Sequence, residues 1–98
     1  MTEWEIKFHP DFLKDLDKLD GSILKLFYKK KEKIKENPIR LKHLSGGENC
    51  YGEEITDNVR LVYFVQGETI WFLTIKTHDD AYNEFRKRLY SLKTKYLE

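Results

Sequence analysis

Residues 60–82 read RLVYFVQGETIWFLTIKTHDDAY, and this stretch decides the fold. It contains two apolar runs rich in β-branched and aromatic residues, 60–65 and 69–75, separated by a short turn that includes Gly67. Two such runs on either side of a glycine-containing turn predict a β-hairpin. The start of the first strand of a hairpin lies opposite the end of the second, so the charged residues at those two ends should meet.

The predicted meeting point contains Arg60, Lys76 and His78, with Tyr82 close behind. Two cations, an imidazole and a phenol at one end of a sheet suit a polyanion, and RNA is the first candidate. Arginine can hold two phosphate oxygens at once, and histidine titrates near neutral pH and suits an acid or a base. A tyrosine ring can stack on a nucleobase.

Each of these residues also has a purely structural interpretation. Arg60 could form a cross-strand ion pair with Glu53 or Glu54 of the preceding strand. The lysine could be a solvated surface residue, the histidine could cap the helix that follows it, and the tyrosine could belong to the core. Either glutamate could instead be the base of an RNA-cleaving site if its side chain faces Arg60.

Length and composition predict a single domain over residues 1–98. Apolar residues make up 40% and charged residues 36%, which is typical of a folded, highly charged protein. No apolar run reaches the roughly 18–20 residues of a membrane helix, and the N-terminus lacks a signal-peptide pattern, so we expect a cytoplasmic protein without a membrane partner. Cys50 stands alone, which excludes an internal disulfide. No metal-ligand spacing or phosphate loop occurs, so we predict neither metal nor cofactor.

The other elements follow from hydrophobic periodicity and turn residues. The predicted strands are 4–8, 50–55, 59–65 and 70–75, and the predicted helices are about 10–19, 23–36 and 79–97, with Ser22 capping the second helix. The order β-α-α-β-β-β-α indicates an α+β domain. In this domain the N-terminal αα-hairpin and the C-terminal helix should pack on one face of a mostly antiparallel sheet, with the most apolar strand, 70–75, at its centre.

The last predicted helix carries one continuous apolar stripe at steps of three and four residues. Its members are Tyr82, Phe85, Leu89, Leu92 and Tyr96. This aromatic-rich stripe could be a docking surface for a partner or the contact of a homo-oligomer.

Charge is distributed unevenly along the chain, although the net charge is only +1. Residues 25–43 carry eight Lys or Arg against two Glu, and residues 76–98 carry six against four. Residues 44–75 carry five acids and only Arg60 as a cation. The two basic segments could flank a nucleic-acid path, or the lysines of residues 29–35 could simply form a solvated helix face.

The order of elements, together with several short motifs, resembles the RelE/ParE toxins of toxin–antitoxin modules. The motifs are FLKDLDKL at 12–19, Asn37-Pro38, Leu44-Ser-Gly46, Cys50-Tyr51, RLVY at 60–63 and KxHxxAY at 76–82. The last three resemble the RelE branch most, and ITxxxRLVY at 55–63 also resembles the YoeB proteins. The likeness spans nearly the whole chain.

This resemblance implies a toxin that cleaves messenger RNA in the ribosomal A site and that a cognate antitoxin holds inactive. By position, it implies that Arg60 contacts the scissile phosphate and that Lys76 assists phosphate or leaving-group charge. It also implies that Tyr82 stacks on a base, and His78 stands where relatives carry Arg or His. Such cleavage proceeds without a metal ion if the RNA's own 2′-OH attacks the adjacent phosphate.

The chain departs from the pattern of RelE on one strand. Relatives closest to RelE place two lysines after the Cys-Tyr pair, where this chain has Gly52-Glu53-Glu54. Carboxylates at that position favour a second hypothesis. In it the chain is a ParE-like inhibitor of DNA gyrase, or a toxin-fold binding protein whose catalytic activity has decayed.

Overall fold

The structure, a computed structural model, describes residues 4–39 and 49–95. The elements in these ranges are β1 (Glu5–Phe8), α1 (Pro10–Asp17), α2 (Gly21–Glu36), β2 (Cys50–Glu54), β3 (Val59–Gln66), β4 (Thr69–Thr77) and α3 (His78–Lys95). The predicted order of elements and the α+β class are therefore confirmed. Most of the predicted loop at 38–49 lies outside the described residues. Within them, no helix is both long and apolar enough to cross a bilayer.

The strands form one sheet in the order β1-β4-β3-β2. β1 pairs with β4 in parallel, whereas the β4–β3 and β3–β2 pairs are antiparallel. The predicted hairpin is β3–β4, and Gly67 in its turn has a φ of +58°, a conformation that favours glycine. The prediction that the most apolar strand is central is confirmed, because β4 has a neighbour on both sides.

The two faces of the sheet carry separate apolar cores. The face that we call the α1/α2 face includes Tyr63 and Phe72 and packs against Phe12, Phe27 and Ile34 of the first two helices. On the opposite face, the α3 face, the core residues are Cys50, Val62, Phe64, Trp71 and Leu73 from the strands, and Ala81, Phe85, Leu89 and Leu92 from the last helix.

The prediction that all three helices share one face is therefore wrong. Every residue from Ile70 to Ile75 is buried, so β4 needs cover on both faces. A strand buried on both faces reads as a continuous apolar run, and residues 70–75 are such a run.

The start of α2 also differs from the sequence prediction. Asp20, not Ser22, caps this helix, since Asp20 Oδ1 accepts a hydrogen bond from the N–H of Ile23 at 3.0 Å. The Ser22 hydroxyl lies in the first turn and donates to the same Oδ1 at 2.6 Å. The helix ends at Glu36, as the following Asn37-Pro38 predicts.

The apolar stripe of α3 faces the protein's own sheet. Phe85, Leu89 and Leu92 lie in the core of the α3 face, and Tyr82 packs against that core. Tyr96, the fifth predicted member, lies outside the described residues. A partner or a second copy could reach Phe85, Leu89 and Leu92 only if α3 left the sheet.

Candidate functional site

The strand register aligns three of the predicted site residues in one row. Arg60 lies between Glu54 of β2 and Lys76 of β4, and each of the two pairs is directly opposite across the ladder. Directly opposite residues of neighbouring strands project from the same face of a sheet. The structure therefore brings together the charged row Glu54, Arg60 and Lys76, close to the start of α3.

A β-bulge in β4 produces this alignment. The register passes from Tyr63 opposite Phe72 to Val62 opposite Thr74, so Leu73 is an extra residue with no opposite partner. Without the bulge, the regular register would set Arg60 opposite the apolar Ile75. Bulges commonly redirect side chains next to functional sites, and here the bulge places a second cation beside Arg60.

Arg60 is held by the turn that precedes it. Its Nη1 donates to the carbonyls of Thr56 and Asp57, the latter at 3.1 Å, and its Nη2 lies 3.7 Å from Oε1 of Glu54. The cross-strand ion pair considered from the sequence is thus present, and its partner is Glu54. In the ladder Arg60 lies directly opposite Lys76.

The two adjacent glutamates point to opposite faces of the sheet. Glu54 belongs to the charged row, and its side chain is 59% exposed. Glu53 lies opposite Leu61 of the α1/α2 core, its side chain is 6% exposed, and Lys30 of α2 lies 3.2 Å away. Because strand side chains alternate between faces, Glu53 does not face Arg60 and is removed from the cluster.

Lys76 contacts a carboxylate from the first helix. Its Nζ lies 3.4 Å from Oδ1 of Asp15 in α1, and its side chain is 25% exposed. Asp15 is in turn 2.6 Å from Nη1 of Arg88 in α3. Lys76 is therefore the outer member of a cluster of three charges, not a plain solvated lysine.

His78 and Tyr82 stand at the start of α3, one helical turn apart. The N–H of His78 donates to the carbonyl of Asn58 at 2.9 Å, which continues the β3–β4 pairing into the helix. The exposed imidazole lies 3.2 Å from Oδ1 of Asp79 and meets the Tyr82 ring edge-on, with ring centroids 4.7 Å apart. The tyrosine is half-buried, so it combines a core contact with an exposed edge.

A pocket of about 280 Å³ opens on the α1 side of Lys76. Its apolar lining consists of Leu19, Val59 and Ile75, and its polar lining consists of Asp15, Lys18, Lys76, Thr77 and Asp80. Lys76 therefore borders both this pocket and the charged row.

Sequence reasoning missed Asp15 and Arg88. Both can nevertheless be detected in the sequence, because each is a charged residue at a helix position where the periodicity predicts an apolar one. Asp15 follows Phe12 by three positions, and Arg88 follows Phe85 by three. Two opposite charges in buried stripes of different helices indicate a buried ion pair.

A RelE-like toxin protein of Escherichia coli is 33% identical to this chain over 92 residues, which cover 88% of this chain and 97% of the relative. The chain belongs to the RelE-like toxin family. The resemblance inferred from the sequence motifs is thereby confirmed. No protein-family model matches the sequence.

Solved structures of RelE proteins share the fold of this RelE-like chain. A mutant of Escherichia coli toxin RelE in the free state has a TM-score of 0.77 and 25% identity, covering 89% of this chain and 98% of that chain. The toxin of a RelB–RelE antitoxin–toxin complex from Methanococcus jannaschii has a TM-score of 0.63 and 26% identity, covering 80% of this chain and 96% of that chain.

Proposed function

We propose that this RelE-like chain is the toxin of a type II toxin–antitoxin system and a ribosome-dependent endoribonuclease that cleaves messenger RNA without a metal ion. The observation that carries the proposal is the position of Arg60 beside Lys76, with His78 and Tyr82 on the adjoining helical turn. These four residues supply the two cations, the titratable group and the aromatic ring that such a reaction uses.

In the proposed reaction the 2′-oxygen of a nucleotide forms a bond to the adjacent phosphorus, and the bond from phosphorus to the 5′-oxygen breaks. A base takes the proton of the 2′-OH, and an acid delivers a proton to the leaving 5′-oxygen. Arg60 and Lys76 stabilise the charge that builds on the phosphate oxygens, an effect worth about 10²–10³-fold for one donor. General acid–base assistance adds typically about 10²–10⁴-fold.

Glu54 and His78 are the proton-transfer candidates that the geometry retains. Glu54 lies next to Arg60, so a phosphate that binds the guanidinium displaces the carboxylate and leaves it beside the 2′-OH as a base. His78 is exposed and lies two residues beyond Lys76 at the start of α3, and it is the candidate acid for the leaving oxygen. Tyr82 can stack on a base next to the cleaved bond, a contact worth about 1–3 kcal/mol.

The partners follow from the same assignment. A related RelE toxin has been solved in complex with the antitoxin RelB, and we propose that a cognate antitoxin likewise binds and inactivates this chain. Its targets would be the ribosome and messenger RNA in the cytoplasm.

Cell-free translation with purified protein tests the proposal. The messenger is mapped by primer extension, in parallel with Arg60→Ala and with Arg86→Ala, which removes an exposed arginine of α3. We expect cuts within codons that occur only during translation, disappear with Arg60→Ala and persist with Arg86→Ala. Intact messenger and unimpeded translation would refute the nuclease.

The second candidate is a ParE-like gyrase inhibitor or a toxin-fold binding protein without catalysis. The observation that favours it is the carboxylate of Glu54 in the charged row, where it already balances Arg60. This candidate predicts inhibition of DNA supercoiling by gyrase, or binding without cleavage, and no effect of Arg60→Ala on toxicity.

A further inference from the structure

Asp15 and Arg88 form a buried, two-pronged ion pair directly behind Lys76. Arg88 Nη1 lies 2.6 Å from Asp15 Oδ2, and Nη2 lies 3.2 Å from Oδ1. The side chains of Asp15 and Arg88 are only 2% and 8% exposed. Paired contacts of this kind fix the relative orientation of a guanidinium and a carboxylate group.

The same pair completes the hydrogen bonding of the edge of β4. β1 pairs with β4 only as far as Phe72. Beyond that point the carbonyl of Leu73 accepts from Arg88 Nη1 at 2.7 Å, and the N–H of Ile75 donates to Asp15 Oδ2 at 3.2 Å. The pair is therefore fixed to the backbone immediately before Lys76.

Asp15, Arg88 and Lys76 together carry one net positive charge, and of the two cations Lys76 is the one that reaches the surface. Arg88 balances the carboxylate of Asp15, and Nζ of Lys76 lies 3.4 Å from Oδ1 of the same carboxylate. Lys76 is 25% exposed, far more than either of its partners. The group thus keeps one net positive charge, located on an ammonium group whose direction the buried carboxylate sets.

Stability alone gives little reason for such a pair. Burying two charges costs desolvation energy that their attraction roughly offsets, so an apolar replacement is often neutral. Arg88 Nε is also buried without a hydrogen-bond partner among the described residues, which adds to the cost of this arrangement.

We propose that Asp15 and Arg88 are positioning residues for Lys76. Asp15 fixes the position of the ammonium group, and Arg88 neutralises Asp15 so that the charge of Lys76 remains available to a bound phosphate. The nature of the ligand rests on the proposed nuclease function. The orientation of Lys76 can be tested without it.

The test compares the double variant Asp15→Asn with Arg88→Met against a matched control. The double variant removes one acid and one base, so the net charge and Lys76 itself are unchanged, and the new amide can still accept from the N–H of Ile75. The control, Glu84→Gln with Lys87→Met, removes an exposed pair 4.0 Å apart on the same helix.

The first measurement is the rate at which limiting acetic anhydride acetylates Lys76, quantified by mass spectrometry relative to the exposed Lys14. We expect the rate to rise several-fold in the double variant and to stay unchanged in the control, because the carboxylate no longer restrains the ammonium group. An unchanged rate in a folded double variant would overturn the proposal.

The second measurement is messenger cleavage during translation, analysed as kcat and KM. Misplacing Lys76 should lower kcat by about 10–100-fold with little change in KM, since small displacements of a charge-stabilising group have effects of that size. An active wild type with an equally active double variant would overturn the functional role. An inactive wild type would refute the nuclease, and the acetylation rates would still decide whether the pair positions Lys76.

A double variant that does not fold is replaced by Asp15→Asn alone, which keeps Arg88 and its hydrogen bond to Leu73. The same rise in acetylation of Lys76 is expected, and its absence would count against the proposal in the same way.

Discussion

The two faces of the sheet differ in what they hold. The α1/α2 face is dominated by aromatic rings and accommodates the strand carboxylate of Glu53 by pairing it with Lys30. The α3 face is apolar where the helix covers it. Close to the start of α3, the same face carries the charged row Glu54, Arg60 and Lys76. The difference indicates a division of roles, in which one face stabilises the fold and the end of the other carries the candidate chemistry.

The largest expected effect on the free energy of unfolding comes from Phe72→Ala, on the α1/α2 face. Phe72 is completely buried on the α1/α2 face. Four aromatic rings lie within 6.1 Å of its centroid, those of Phe8, Phe12, Phe27 and Tyr63. Removing a phenyl group from such a core lowers the free energy of unfolding by about 3–5 kcal/mol. Urea denaturation measures it, with the exposed Tyr90→Ala as a control expected to stay within about 0.5 kcal/mol. A loss below about 1 kcal/mol would show that this core does not dominate stability.

The neighbouring glutamates give the next largest effect, and the two variants should behave in opposite ways. Glu53→Gln removes the charge of a buried hydrogen-bonded group and should lower the free energy of unfolding by about 1–3 kcal/mol while leaving cleavage intact. Glu54→Gln should leave stability within about 0.5 kcal/mol and lower kcat, because it removes the proposed base. Urea denaturation and the translation assay measure the two quantities. The reverse pattern would assign the chemistry to the other face.

A smaller effect concerns Cys50 on the α3 face and appears only in alkaline solution. Burial raises the pKa of the Cys50 thiol from its ordinary 9.0 to about 11. Between these values the unfolded chain loses the thiol proton while the folded chain keeps it, so stability falls as pH rises. The free energy of unfolding should therefore drop more between about pH 8 and about pH 10 for the wild type than for Cys50→Ala. Parallel curves for the two proteins would show that the thiol is accessible to water in the folded state.

The smallest expected effect concerns His9 at the start of α1 and appears in acid. Burial, the largest cause, lowers the pKa of His9 below its ordinary 6.5, although Asp11 opposes the shift. Near pH 6.5 the imidazole of His9 therefore binds a proton more readily in the unfolded chain than in the folded chain. The free energy of unfolding should fall as the pH drops through 6.5. His9→Asn keeps a cap for the Asp11 N–H, which now bonds to the imidazole at 3.1 Å, but cannot ionise.

Urea denaturation at about pH 7.5 and about pH 5 should show a smaller loss for His9→Asn than for the wild type. An equal loss would mean that other groups cause the acid sensitivity. Together with the result for Cys50, it would show that two buried groups lower the free energy of unfolding, His9 in acid and Cys50 in alkali.

Sequence patterns predicted the hairpin, and with it that the strand ends carrying Arg60 and Lys76 lie close together, because both follow from local rules. Alternation, a glycine turn and strand length set which ends of a hairpin meet, whatever surrounds it. The central position of β4 followed in the same way from its continuous apolar run.

The remaining features depend on contacts between distant parts of the chain. The bulge at Leu73 has no marker in the sequence, yet it decides whether Lys76 or Ile75 lies opposite Arg60. Helix propensity carries no information on which face α3 covers. The pairing of Asp15 with Arg88 spans 73 positions, and only the packing of two helices at one edge of the sheet brings them together.

That long separation also sets when the site is complete during synthesis. β2, β3 and β4 are consecutive in the chain, whereas β1 pairs with β4, which is the last of the four strands to be made. A nascent chain that has not yet reached Arg88 leaves the carboxylate of Asp15 without the cation that balances it. The orientation proposed for Lys76 therefore depends on a residue that is made after the hairpin carrying this lysine.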